Sequence, residues 1–409
     1  MSASTTTAPE KTQASAATNG NGRSFNVNAV LMEGRALIAL LIIITIFAVL
    51  SDNYLTTGNL TTITKQVAFN AIVALGMLLV ILNGGIDLSV GSTVGLTGAV
   101  AGNLFRGLDL PLTEAIMFPK VWVIVVIAVA VGAFVGWLNG LLIARLNLAP
   151  FIVTLGMLYV ARGLTEVLLN GQNITNELRG QEGLGNTGFF GIFASKPLGL
   201  PISAWVMIVL AIAFSLLLTR TPFGRWLYAS GSNERAAQLS GVPVKRVQTR
   251  IYVLSGLCAG IVGVLQVANI SSSTADLGQF YELNAIAAVV IGGAALSGGR
   301  GTVRGTIIGA FVIGFLANGL VIVGVSPFWQ KVITGAVIIL AVAVDQIQQM
   351  IQKQRSARRA VANARMANRA PDSATDQGPE QPGAEQPSDQ QPGDQQPGDQ
   401  QPGRTGPVG

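Results

Sequence analysis

The sequence contains no histidine and only one cysteine, Cys258. Without histidine there is no Ser-His-Asp or Cys-His catalytic arrangement, no histidine-ligated zinc and no histidine pH switch. A single cysteine excludes disulfides within the chain and Cys-x-x-Cys metal or redox sites. The dipeptide Gly-Lys is also absent, so the chain lacks the Walker A loop that holds nucleotide phosphates. We therefore expect a chain that is not an enzyme and that binds no cofactor or metal.

Charged residues are scarce as well. Lys and Arg number 26 and Asp and Glu 20 among 409 residues, and half of the chain is apolar. A soluble protein of this length carries about 100 charged residues, so an ordinary soluble domain is excluded. Apolar runs, most of them near the ~20 residues that cross a bilayer, lie at 36–50, 66–82, 86–105, 121–146, 150–169, 201–219, 251–270, 284–296, 305–325 and 328–344.

These runs predict an all-α, polytopic integral membrane protein with about ten transmembrane helices. The eighth run is too short to span a bilayer unless its neighbours extend it or it is broken or re-entrant. If the N-terminus is cytoplasmic, the connections rich in Lys and Arg all fall on the cytoplasmic side, as the positive-inside rule expects. We therefore predict that both termini are cytoplasmic. The positive-inside rule also accounts for the sequence pI of 9.7. Nucleic-acid binding is not needed to explain this pI, because no basic stretch is interleaved with aromatics.

The composition further divides the chain. We expect residues 1–35 to be a disordered cytoplasmic tail, residues 36–346 a transmembrane domain and residues 347–369 a basic juxtamembrane segment. Residues 370–409 are rich in Gln, Pro, Gly and Asp, which predicts a disordered tail. The octapeptides that start at Gly84 and Gly292 are weakly similar to each other. Such internal similarity is typical of a duplicated transporter with helices broken at corresponding places.

Asp87 is an acidic residue between apolar runs, where a charge costs about 2.5–3.5 kcal/mol at a helix centre. One interpretation is local: Gly84 and Gly85 break the helix, and the Asp87 carboxylate caps the next helix by accepting from the amides of Ser89 or Val90. The other is functional: the unwound turn lines a wet cavity that binds a polar solute. The two interpretations are compatible.

Other polar residues within the runs are uncharged, which suits a neutral polyhydroxylated solute, although buried Asn also joins helices to one another. The candidate substrate-path residues are Asn70, Asn83, Asp87, Ser89, Thr154 and Asn284. Arg162 and Glu166 lie four residues apart on one run, where they favour a structural ion pair. The frequent glycines favour close helix packing, and the same residues would serve as hinges.

The segment 220–250 carries six cations and one acid, Glu234. Ser232 or Asn233 can cap a short helix from Glu234 through Leu239, Gly241 can end it in a left-handed conformation, and Pro243 prevents its continuation. We expect Ala236 and Ala237 to be exposed, so that the helix can fit into a groove of a cytoplasmic protein. The alternative is a solvated surface helix held by lipid phosphates.

Four segments in register resemble the permease subunits of bacterial ribose-type ABC sugar importers. They are Thr221–Val242, Gly84–Gly91, Pro150–Gly156 with Arg162-Gly163, and Gly292–Gly301 with Gly305, so the resemblance covers about residues 35–350. By resemblance, Glu234–Leu239 is the coupling helix. The ATPase-coupling candidates are Gly224, Arg225, Gly231, Asn233, Glu234, Ala236, Ala237, Leu239 and Gly241.

The resemblance implies a homodimer in the bacterial inner membrane, two ATP-binding subunits that carry ATP and Mg²⁺, and an extracytoplasmic binding protein that delivers a monosaccharide or polyol. The alternatives are a branched-chain amino acid ABC permease, an ion-coupled secondary transporter or channel, and a membrane scaffold without transport. A branched-chain amino acid ABC permease is the nearest in kind, although its zwitterionic substrate favours an intramembrane cation. An ion-coupled secondary transporter or channel would not need the docking segment.

Overall fold

The computed structural model describes residues 27–109, 116–175 and 189–340, with a few single positions between 342 and 361. Two units are distinguished, Met1–Met350 and Ile351–Gly409, and every contact below lies within the first. The predictions for residues 1–26 and for 362–409 fall outside the described residues. The basic segment predicted at 347–369 is described only at isolated positions.

The described chain is almost entirely helical. Its helices are α1 Val27–Leu50, α2 Thr57–Leu82, α3 Val90–Arg106, α4 Val121–Leu146, α5 Pro150–Leu169, α6 Phe189–Ala194, α7 Ile202–Arg220, α8 Pro222–Ser232, α9 Glu234–Leu239, α10 Val244–Ile270, α11 Tyr281–Ile291, α12 Val303–Ile322 and α13 Pro327–Leu340. A 3₁₀ turn covers Pro197–Gly199. Two antiparallel pairs of two-residue strands join β1 Leu108–Asp109 to β2 Ile116–Met117 and β3 Ile174–Thr175 to β4 Ser272–Ser273.

The predicted all-α class is confirmed, and each of the ten apolar runs overlaps one of these helices. Among the described residues, six helices are long and apolar enough to cross a membrane: α2, α4, α5, α7, α10 and α12. Shorter apolar helices occupy 36–50, 281–291 and 327–340. The first helix begins at Val27, before the first apolar run begins at residue 36. Only Gly34 interrupts this stretch, and no proline stops the helix from extending.

Helix α2 lies at the centre of the body. Its residues from Val67 onward are buried with the exception of Asn70, because α7, α10, α11 and α12 all pack against it. Helices α4, α5 and α7 instead expose large apolar side chains, such as Trp122 and Tyr159. Apolar residues on the outside are what a lipid-facing surface requires, since hydrocarbon is as favourable an environment as the protein interior.

Glycine determines how closely α4 and α10 approach. A Cβ added at Gly132 would overlap the carbonyl of Gly256, and one added at Gly256 would overlap the carbonyl of Gly132. One turn further along, a Cβ at Gly136 would overlap the carbonyl of Tyr252. The helices therefore meet backbone to backbone, which supports the packing interpretation of these glycines.

We expect Gly136→Ala to lower the thermal midpoint of the purified protein in detergent, because the methyl group forces α4 away from α10. Overpacking of this kind costs about 1–3 kcal/mol. Gly163→Ala on α5 is the matched control, since nothing lies within 4 Å of a Cβ there, and alanine is the better helix former. Equal midpoints for the two variants would contradict a tight α4–α10 contact.

Candidate functional site

The segment between α2 and α3 is an interruption of the helical backbone inside the body. Helix α2 ends at Leu82, and Gly84 follows with a left-handed φ of 79°. Asp87 is only 2% exposed. One carboxylate oxygen, Oδ1, accepts from the Ser89 amide at 3.0 Å and from the Ser89 hydroxyl at 2.6 Å. The predicted break and the bond to the Ser89 amide are observed, but the N-cap residue of α3 is Ser89 and not Asp87.

Other helices complete a polar cluster around Asp87. Ser255 of α10 donates to the second carboxylate oxygen, Oδ2, at 3.1 Å. Asn139 of α4 donates from Nδ2 to the Ser89 hydroxyl at 2.8 Å, and its own Oδ1 is buried without a partner. Thr154 of α5 donates to a backbone carbonyl, with the oxygens of Pro150 at 2.9 Å and Ile86 at 3.2 Å both in reach. Helices α4, α5 and α10 thus converge on this break.

The predicted substrate-path residues separate into three groups. Asp87, Ser89 and Thr154 belong to the polar cluster and are buried. Asn83 does not join it, because its Oδ1 accepts from Ser230 of α8 at 3.0 Å. Asn70 and Asn284 lie on α2 and α11, and no hydrogen bond of the described residues links them to Asp87. The Oδ1 atom of Asn70 is buried and unpaired.

A second interruption lies between α11 and α12, where the sequence repeats the glycine pattern. Gly293, Gly298 and Gly299 all have left-handed φ values. The amide of Gly299 donates to the carbonyl of Leu82 at 2.9 Å, which is the last residue of α2. The two glycine-rich breaks are therefore in direct contact through their backbones.

Helix α8 packs on both breaks at once. A Cβ at Gly231 would overlap the Leu82 carbonyl and approach the Gly299 amide, so this contact requires glycine. The Tyr228 hydroxyl donates to the Gly301 carbonyl at 2.8 Å, and burial raises the pKa of Tyr228 above its ordinary value. With the Ser230 bond to Asn83, α8 holds the first break on one side and the second on the other.

Helix α9 follows α8 directly. Asn233 is its N-cap and accepts from the Ala236 amide at 2.9 Å, and Gly241 has φ 81°, so both predicted signals are confirmed. Leu239 is 78% exposed and Ala236 is exposed. Ala237 is not exposed as expected but only 5% accessible, because it lies on the face of α9 that turns toward the rest of the chain.

The remaining coupling candidates fall on α8. Gly224 is buried, and a Cβ there would overlap the backbone of Leu218, so it permits the sharp corner between α7 and α8. Arg225 is exposed. Arg162, expected to pair with Glu166, instead donates from Nη1 to the carbonyls of Ala275 at 2.6 Å and Leu277 at 3.0 Å. Arg162 thus bonds to the loop before α11, because that loop presents two carbonyl oxygens close together.

Comparison with known proteins places these features in a family. Residues 59–342 match the family described as the branched-chain amino acid transport system / permease component. The chain belongs to this permease family. The matched region contains both breaks, α8 and α9.

Several import permeases are similar to this permease over most of its length. The ribose import permease of Escherichia coli (strain K12) is 43% identical over 80% of this chain and 98% of its own length. The ribose import permease of Bacillus subtilis (strain 168) is 41% identical over 79% and 96%. The galactose/methyl galactoside import permease of E. coli (strain K12) is 36% identical over 78% and 95%. No solved structure is significantly similar to it.

Sequence reasoning missed part of the site of this permease. Ser255 lies 168 residues from Asp87 in an apolar run with no acid or repeat to mark it. Tyr228 and Ser230 lie inside the segment that was singled out, but their partners at Gly301 and Asn83 are far away along the chain. Asn139 is a polar residue within the apolar run 121–146, and only its bond to Ser89 joins it to the site.

We expect Asp87→Leu to lower the thermal midpoint of the purified permease strongly. Loss of the Asp87 carboxylate leaves the hydroxyl groups of Ser89 and Ser255 without their acceptor. Each unsatisfied buried group costs about 1–3 kcal/mol of stability. Asp87→Asn keeps one acceptor oxygen and should be affected much less. The midpoints are compared in the same detergent, and equal losses for both variants would show that the carboxylate charge itself is needed for stability.

Proposed function

We propose that this chain is the membrane permease subunit of an ATP-binding-cassette importer and forms the path for ribose or a closely related monosaccharide. The observation that carries the proposal is the 43% identity over 98% of the length of a ribose import permease. Because the match covers nearly the whole relative, it includes the membrane helices and does not depend on a single motif. The galactoside relative at 36% identity supports sugars as the substrate class.

The chain resides in the bacterial inner membrane in this proposal. Ten spans with both termini in the cytoplasm are supported by the coincidence of ten apolar runs with helices and by the location of the basic loops. Segment 220–250, with six cations and one acid, then lies in the cytoplasm. The opposite face receives the sugar from an extracytoplasmic binding protein.

Helix α9 is the proposed docking element for an ATP-binding subunit. Two copies of the chain form a homodimer, and each α9 contacts one of two ATP-binding subunits. These subunits hold ATP and Mg²⁺ and perform the hydrolysis, since this chain has no Walker A loop. The exposed Ala236 and Leu239 and the caps at Asn233 and Gly241 support a short, rigid helix that fits into a partner's groove.

Transport then depends on the contact between α8 and the two breaks. When ATP-driven closure moves α9, α8 moves with it, because a single residue, Asn233, joins them. The bonds of Ser230 and Tyr228 and the packing of Gly231 carry that motion to both breaks. The proposed path residues Asn70, Asn83, Asp87, Ser89, Thr154 and Asn284 then face alternate sides of the membrane.

A branched-chain amino acid is the second candidate substrate, because the matched family is described by that transport system. Uptake by proteoliposomes that contain the full importer discriminates the candidates. Ribose should be imported with ATP and binding protein, and leucine should not. Import of leucine alone would favour the amino acid permease, and ribose uptake without ATP would favour a secondary transporter or channel.

We expect Ala236→Arg to abolish co-purification of the ATP-binding subunit, because a long cation on the exposed face of α9 blocks its fit. Ala149→Arg is the matched control: Ala149 is also exposed and lies in the connection after α4 that is expected to be cytoplasmic. Pull-down in mild detergent with mass spectrometry gives the readout. Retention of the subunit by the Ala236 variant would contradict docking at α9.

We expect Ser230→Ala to leave the complex assembled but to lower ribose uptake per ATP hydrolysed by about two- to tenfold, the range for one hydrogen bond of 0.5–1.5 kcal/mol. The loss of the Asn83 bond loosens α8 from the first break. Ser240→Ala, which removes only a bond within the exposed turn after α9, should couple normally. Normal coupling in both variants would rule out this bond as part of the transmission.

A further inference from the structure

An apolar groove lies where α7, α8 and α10 meet. It has a volume of about 300 Å³ and is lined by Leu217, Phe223, Arg250, Val253 and Leu254. Four of these side chains are apolar and one is a cation. The volume is at the lower end of the range for ligand sites in proteins, so the groove accepts an elongated apolar group of modest size.

The groove runs from the charged end of α10 into its apolar part. Arg250 precedes Val253 and Leu254 by three and four residues, so all three lie on one face of the helix. At 1.5 Å per residue, Leu254 lies about 6 Å further along the axis than Arg250. A molecule in the groove therefore has a cation beside one end and hydrocarbon along the rest.

The residues around the groove indicate that it opens beside a lipid-facing surface. Helix α7, which contributes Leu217, exposes Val209 by 62%, Ile212 by 56% and Leu216 by 53%. These outward apolar side chains form a lipid-facing surface beside the groove. Arg246 is exposed one turn before Arg250 and lies on the same face of α10, so two cations are available at the polar end.

We infer that this groove binds an anionic phospholipid, with an acyl chain against Leu217, Val253 and Leu254 and the phosphate beside Arg250 and Arg246. Basic pockets between membrane helices on the cytoplasmic side select anionic headgroups in this way. The segment's six cations against one acid complement a negative lipid. They also disfavour a second copy of the chain in the groove, because symmetric association would bring the same cations together.

The inference rests on the proposed cytoplasmic placement of segment 220–250, but its test needs neither sugar nor ATP. The purified full chain is mixed with palmitoyl-oleoyl-phosphatidylglycerol or palmitoyl-oleoyl-phosphatidylcholine, and bound lipids are counted by native mass spectrometry. The wild type should retain one phosphatidylglycerol and little phosphatidylcholine. Arg250→Gln should weaken retention about fivefold, which corresponds to about 1 kcal/mol for one cation near an anionic lipid.

Two further variants make the result decisive. Val253→Trp fills the groove and should also release the lipid while all cations remain. Arg145→Gln removes one exposed arginine at the end of α4 that does not line the groove, and should retain the lipid as the wild type does. Equal retention by all variants, or equal retention of both lipids, would overturn the inference.

A change from dimer to monomer in the Val253→Trp variant without loss of lipid would also overturn it, because it would assign the groove to a second copy. The uptake measurements separate the two proposals. If the wild-type importer shows no ATP-dependent uptake, the proposed function is contradicted. If uptake is normal but no phosphatidylglycerol is retained, only the lipid inference is contradicted.

Discussion

Backbone amides and carbonyls that leave a helix inside a membrane body must find partners within the protein, because hydrocarbon offers none. The breaks after α2 and α11 meet this requirement together. The Gly299 amide donates to the Leu82 carbonyl, and the Asp87 carboxylate accepts from the Ser89 amide. Glycines at these positions let the two segments approach closely enough, and α4, α5, α8 and α10 each contribute a side-chain hydrogen bond to one of the breaks.

This requirement explains why a chain with so few charged residues keeps an acid at its centre. Asp87 is held by Ser89 and by Ser255 of α10, and Ser89 is in turn held by Asn139 of α4. The glycine-mediated crossing of α4 and α10 brings those two side chains to the break. Helix packing and the polar cluster are consequently one arrangement, and a change in either alters both.

Helix α8 contacts both breaks. It bonds to Asn83 in the first and to Gly301 in the second, and α9 follows it with Leu239 exposed. A single residue, Asn233, separates α9 from α8, and its side chain caps α9. In the proposed mechanism, the helix next to the docking element is therefore hydrogen-bonded to both glycine-rich breaks.

The sequence by itself determined the helical class, the positions of the apolar runs, the break at Gly84 and the caps of α9 at Asn233 and Gly241. All of these depend on local composition and on the conformations that glycine and asparagine adopt readily. Only the tertiary structure decided that Asn83 contacts α8 instead of joining Asp87, that Ser255 completes the cluster, that Arg162 turns to carbonyls and that Ala237 is buried. These outcomes depend on contacts between residues far apart in the chain, and periodicity along one helix does not specify which helix its face will meet.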